Sequence, residues 1–149
     1  MLVKKIAALS VVVLLSAGSA ACSHGDESQP DFASLDDAYG AVDSAVHCDE
    51  NPPAPTEKVL DPPGPTGESR MCTNAVEVFW FESSSSQEKM FDMLSSIGKP
   101  GSPVEFATGR NWFVVDYSAA PNGATPDRDV DMENLAKKLD AHYISAGGE

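Results

Sequence analysis

The chain has 149 residues, with 23 acidic side chains against 10 Lys and Arg and a formal charge of −13. That length suits one domain, and a hydrophobic content of 42% is enough for a core, which excludes wholesale disorder. The acid excess excludes a nucleic-acid binder and electrostatic docking on anionic lipid, because both need clustered Lys and Arg.

Residues 1–21 read as an export signal. Lys4 and Lys5 form a positive start, Ile6 to Leu15 an apolar run too short to span a bilayer, and Ser16 to Ala21 a stretch of small residues. Cys22 follows Ala20 and Ala21 directly. This junction resembles a bacterial lipobox, where a lipoprotein signal peptidase cuts before a diacylated Cys. Ser19 stands where that pattern has an aliphatic residue. The resemblance implies lipidation of Cys22 with palmitate-type chains. The rival expectation is ordinary cleavage after the Ser19-x-Ala21 site, which gives a soluble secreted protein with a free thiol at Cys22. Cysteine arithmetic favours the lipid. Three Cys in an exported chain leave one over, and a modified Cys22 leaves Cys48 and Cys72 as a disulfide pair. More than one acyl chain on Cys22 is enough for stable anchoring on the extracytoplasmic side of the cell membrane.

Residues 22–33 are polar and acidic and read as a flexible tether. His24, Asp26 and Glu27 have no metal-ligand spacing, and neither a metal nor a cofactor is expected. Ser34 to Cys48 reads as a helix. Ser34 and Asp37 form a capping box, and Leu35, Ala38, Tyr39, Val42, Ala45 and Val46 make one apolar stripe. Gly40 in its middle costs some helix stability and allows a close neighbour. Residues 51–67 hold six of the eleven prolines and read as a stiff surface loop around a short extended piece at Lys58 to Leu60.

Ala75 to Phe81 suits a strand covered on both faces. Val76, Val78 and Trp80 point one way, and Glu77, Phe79 and Phe81 the other. Ser83 to Ser86 cap a second helix, with Ser85 and Glu88 as a box and Met90, Phe91, Met93, Leu94 and Ile97 inside. Gly98 and Pro100 end it. Val104 to Ala107 and Asn111 to Tyr117 read as a hairpin with Gly109-Arg110 as a two-residue turn. Ser118 to Arg128 is a loop, and a last helix is expected from Asp129 to Ile144, with Met132, Leu135, Ala136, Leu139 and Tyr143 as its stripe. Residues 147–149 should fray.

The expected fold is a single α+β domain over residues 34–146. It has a small mixed sheet of three or four strands, three packed helices and one disulfide. Its strand-helix-strand step predicts a parallel neighbour. The Cys22 signal, a helix ending near Cys48, Cys72 just before a strand, and Gly109 to Trp112 leading into Phe113-Val114-Val115 together resemble a loose group of small lipoproteins of high-GC Gram-positive bacteria. The resemblance implies a cell-surface location and a disulfide, and no particular activity.

No nucleophile elbow, zinc-protease pair, phosphate loop or dinucleotide fingerprint occurs. His47 falls at a helix end and His142 beside an apolar stripe. Asp36 with Asp37, and Asp127, Asp129 and Asp131, suit helix starts better than calcium, since Val130 is apolar and no Gly or distal Glu follows at the required place. The expected function is a membrane-anchored binding module for an envelope protein partner, without enzyme activity. The alternative is a small envelope hydrolase or transferase whose site assembles only in the fold.

Overall fold

A computed structural model describes residues 29–54, 67–121 and 123–147. Within them lie α1 (Leu35–Val46), β1 (Gly67–Met71), β2 (Val76–Phe81), α2 (Ser84–Ser95), β3 (Val104–Thr108), β4 (Trp112–Asp116), α3 (Met132–Lys138) and β5 (His142–Ala146). The signal, Cys22, most of the tether, and the piece at Lys58 to Leu60 lie outside the described residues. Three helices and one disulfide are present as expected. The strands form one sheet of five, ordered β1-β2-β4-β3-β5, and every neighbouring pair is antiparallel. Two expectations are therefore corrected: there are five strands rather than three or four, and the sheet is not mixed. The cause is β4, which returns from its hairpin into the gap between β2 and β3. The strands joined by α2 run the same way without touching, a split crossover.

Strand alternation places a core on each face. Val76, Val78, Ala107, Trp112 and Val114 pack against Leu35, Ala38 and Val42 of α1 and Met132, Leu135 and Ala136 of α3. Phe79, Phe81, Val104, Phe106, Phe113 and Val115 pack against Met90 and Leu94 of α2. On the second face Phe79 and Phe81 lie 5.0 and 5.2 Å from Phe113, and Phe91 of α2 lies 4.7 Å from Phe106. Burying each such ring contributes roughly 1.5–3 kcal/mol.

The helix ends explain where the sequence reading ran long. α1 stops at Val46 because His47 takes a left-handed conformation, φ 56°, and its N–H donates to Asp43. Arg128 then donates to the carbonyls of Val46 and His47, and Lys138 Nζ to that of Ala45 at 2.9 Å. These two cations from elsewhere in the chain satisfy a helix end that has no basic residue of its own. In α2 the cap is Ser83, accepting from Ser86 N–H, rather than Ser85.

The last helix is half as long as expected. Asp140 takes φ 52°, and Ala141 N–H donates to Ala136 at 2.8 Å, the bond that closes a Schellman ending. Asp tolerates that conformation without Gly, so no glycine announces the stop. His142 and Tyr143 consequently sit on β5 rather than on a helix.

The Cys48–Cys72 disulfide joins α1's end to the turn before β2, with Cα atoms 4.6 Å apart. Beside it Asp49 N–H donates to Cys72 at 2.8 Å, and the Asp49 carboxylate pairs with Arg128 at 3.5 Å. Thr73, fully buried, accepts from the N–H groups of Ala75 and Val76, which fixes the turn into β2.

Pro30 to Phe32, which composition places in the tether, lie fastened across one end of the sheet. Asn111 accepts from Phe32 N–H at 3.0 Å and donates to its carbonyl at 2.7 Å. The indoles of Trp80 and Trp112 donate to the carbonyls of Phe32 and Pro30, at 2.8 and 2.9 Å. The Phe32 ring lies 5.2 Å from that of Trp112. Trp112 also explains Gly109, because a Cβ there would lie 2.1 Å from the indole nitrogen. The hairpin closes through Gly109 N–H to Trp112 at 2.9 Å, which makes the loop Arg110-Asn111 rather than Gly109-Arg110.

Candidate functional site

β5 is an edge strand. Among the described residues it pairs only with β3, through Val104↔Ala146 to Thr108↔His142. Its side chains are exposed from His142 to Ser145, and among the described residues Tyr143 and Ile144 are the large apolar side chains left most open, at 38% and 37%. Period-2 alternation puts Ile144 on the α2 side and Tyr143 on the α3 side. The Tyr143 hydroxyl donates to Glu105 Oε1 at 2.9 Å. Partial burial, then this bond and the Glu105 charge, raise its phenol above the ordinary range.

Between β5 and α2 runs an open groove of about 350 Å³. Its walls are Gln87, Glu88, Phe91 and Asp92 of α2, with Thr108 and Ile144 opposite. Helical spacing sets the α2 wall, since Gln87 and Phe91, and Glu88 and Asp92, are four apart. Gln87 is fixed from behind, its amide donating to the carbonyls of Gly109 and Trp112 at 2.8 and 3.0 Å. Gly98 lets β5 approach the end of α2, because a Cβ there would lie 2.2 Å from the Ala146 carbonyl oxygen. Within this lining Phe91 and Ile144 are the apolar part, and the exposed Glu88 and Asp92 give it an acidic rim. A smaller hollow of about 160 Å³ lies by the opposite edge, between Gly67, Glu68, Trp80 and Glu82.

The structure brings Cys48 and Cys72 together as expected; Cys22 is outside the described residues. His47 ends α1 and His142 opens β5, on different elements. Asp37 N–H donates to the Ser34 cap, and Asp131 caps α3 through Asn134 N–H at 2.8 Å, while Asp127 N–H is held by Asn74. Among the described residues no three His, Cys, Asp or Glu side chains gather closely enough to hold a metal. No helix there is long and apolar enough to cross a membrane. Phe91 packs against the second core as expected and also lines the groove. The β5 face was missed because Ala136, Leu139 and Tyr143 keep helical spacing across the Asp140 stop. The aromatic and β-branched pair Tyr143-Ile144 was the available strand signal.

Two carboxylates are buried among the described residues, Glu77 and Asp116. Glu77 is 7% exposed on the α2 side of β2, and Tyr117 donates to it at 3.1 Å. Burial pushes the Glu77 carboxyl up, against the pull of hydrogen bonds with Ser69 and Tyr117. Burial and then the Glu77 charge push the Tyr117 phenol far above its ordinary range.

Compared with protein-family models, with curated proteins and with solved structures, the chain finds no match.

Proposed function

We propose that this protein is an extracytoplasmic lipoprotein, anchored in the cell membrane through Cys22, whose domain binds an envelope protein through the α2–β5 face. The anchor is supported by cysteine pairing. Cys48 and Cys72 are joined to each other, so Cys22 is the one thiol of the chain left for another use. The observation that carries the binding role is Ile144, left exposed on an edge strand and lining the groove beside α2. Apolar side chains left open on such an edge fit a contact surface better than a solvated one.

The test is photo-crosslinking in intact cells. A photoreactive side chain at position 144 should give a discrete protein adduct. The same group at position 50, on the exposed segment after α1, should not. No adduct at 144, or equal adducts at both positions, contradicts the assignment of the face.

A further inference from the structure

We infer that β5 accepts an added strand from its partner, an extended cationic segment that pairs along the edge and lays Lys or Arg side chains across the α2 groove. This deepens the binding-module reading and rests on it.

The two sheet edges differ in how they are guarded. β1 carries Glu68 and Arg70 and follows the proline-rich loop. Charges and prolines are what natural edges use to refuse an extra strand. β5 reads His142-Tyr143-Ile144-Ser145-Ala146 and has no Lys, Arg, Asp, Glu or Pro. Its outer backbone groups face away from β3 with no guarding side chain of these kinds on the strand. An extended polypeptide adding there gains main-chain hydrogen bonds, and its alternate side chains fall on the α2 side.

What waits on that side fixes the partner's chemistry. Glu88 and Asp92 line the groove together with the apolar Phe91 and Ile144. A Lys or Arg side chain satisfies both, its aliphatic stem on the apolar pair and its charged head at the carboxylates. The same charges disfavour a second copy as occupant. Edge-to-edge pairing of two β5 strands would bring together two strongly acidic chains, each with Glu88 and Asp92 at its groove.

The experiment uses the mature chain and two synthetic probes, acetyl-Lys-Val-Lys-Val-Lys-Val-amide and its Glu-for-Lys counterpart. Affinity is read by fluorescence anisotropy of labelled probe, and the position of binding by amide hydrogen exchange. The Lys probe should bind, the Glu probe should not, and amides of residues 142–146 should gain protection. Glu88→Lys with Asp92→Lys should weaken binding about tenfold or more. Glu68→Lys with Glu82→Lys, the same charge change at the other edge, should alter it less than about threefold. The inference is overturned if the Lys probe does not bind, if both double variants weaken it equally, or if it binds without protecting β5. If the probe fails while the cross-link from position 144 persists, strand addition falls and the binding module stands. If the cross-link is also absent, both fall.

Discussion

Removing the disulfide should cost the domain a large part of its stability. The bond joins cysteines 24 apart in sequence, with its Cα atoms 4.6 Å apart, inside the usual range for a bridge. Closing a loop of that length removes about 3.5 kcal/mol of unfolded-state freedom at 25 °C. Cys72 is fully buried, so Cys72→Ala also loses packing around one sulfur, up to about 1 kcal/mol more. Most domains have only about 5–15 kcal/mol in total. The Cys48→Ala/Cys72→Ala protein should therefore unfold at markedly lower urea, with a melting temperature lower by roughly 10–15 °C. Cys22→Ser in both arms keeps the remaining thiol out of the comparison. The mechanism makes a second demand. An unlinked unfolded chain is more expanded, so the variant's m value should be larger. A loss below about 1 kcal/mol with an unchanged m value would refute the loop-closure reasoning.

Three further outcomes are expected. Gly40 has open space where a Cβ would stand, so no close neighbour uses the room that Gly leaves, and Gly40→Ala should stabilise α1 by about 0.5–1 kcal/mol in urea melts; destabilisation contradicts this. Glu77 has a raised folded-state pKa, so its contribution is full below the ordinary carboxylate value of about 4.3 and is lost as pH rises through the raised value. Glu77→Gln should gain stability relative to the native protein as pH rises above the ordinary carboxylate value, and a difference that does not change with pH contradicts the burial of this carboxyl. Asn111→Ala breaks both hydrogen bonds to Phe32, and should cost about 1–2 kcal/mol and speed amide exchange at Phe32. The only two Trp of the chain donate to this segment, so their emission should shift red, and unchanged emission and exchange would show that the segment is held without Asn111.

Much of the fold is written as local pattern. α1, β2, α2 and the β3–β4 hairpin follow from apolar periodicity and serine caps, and even the facing of Val76 against Phe79 is legible. β1 is not, because Gly-Glu-Ser-Arg-Met has no apolar alternation. It is a strand because β2 offers it an edge and Met71 a place in the core. β5 hides behind Asp140, whose left-handed conformation ends a helix that the spacing would continue. The insertion of β4 between β2 and β3 depends on contacts remote in sequence, so strand order could not be read locally. The candidate site suffers most, because it is made where α2 meets the strand that was not foreseen. The disulfide was the reverse case: counting cysteines sufficed.

The proposed role of the protein depends on one division of its cysteines, Cys22 as anchor and Cys48–Cys72 as staple. The intact mass of the mature protein recovered from cell membranes tests it most directly. A chain beginning at Cys22, heavier by a diacylglyceryl group and an acyl chain and with no free thiol, is predicted. An unmodified chain with a free thiol at Cys22 would contradict it.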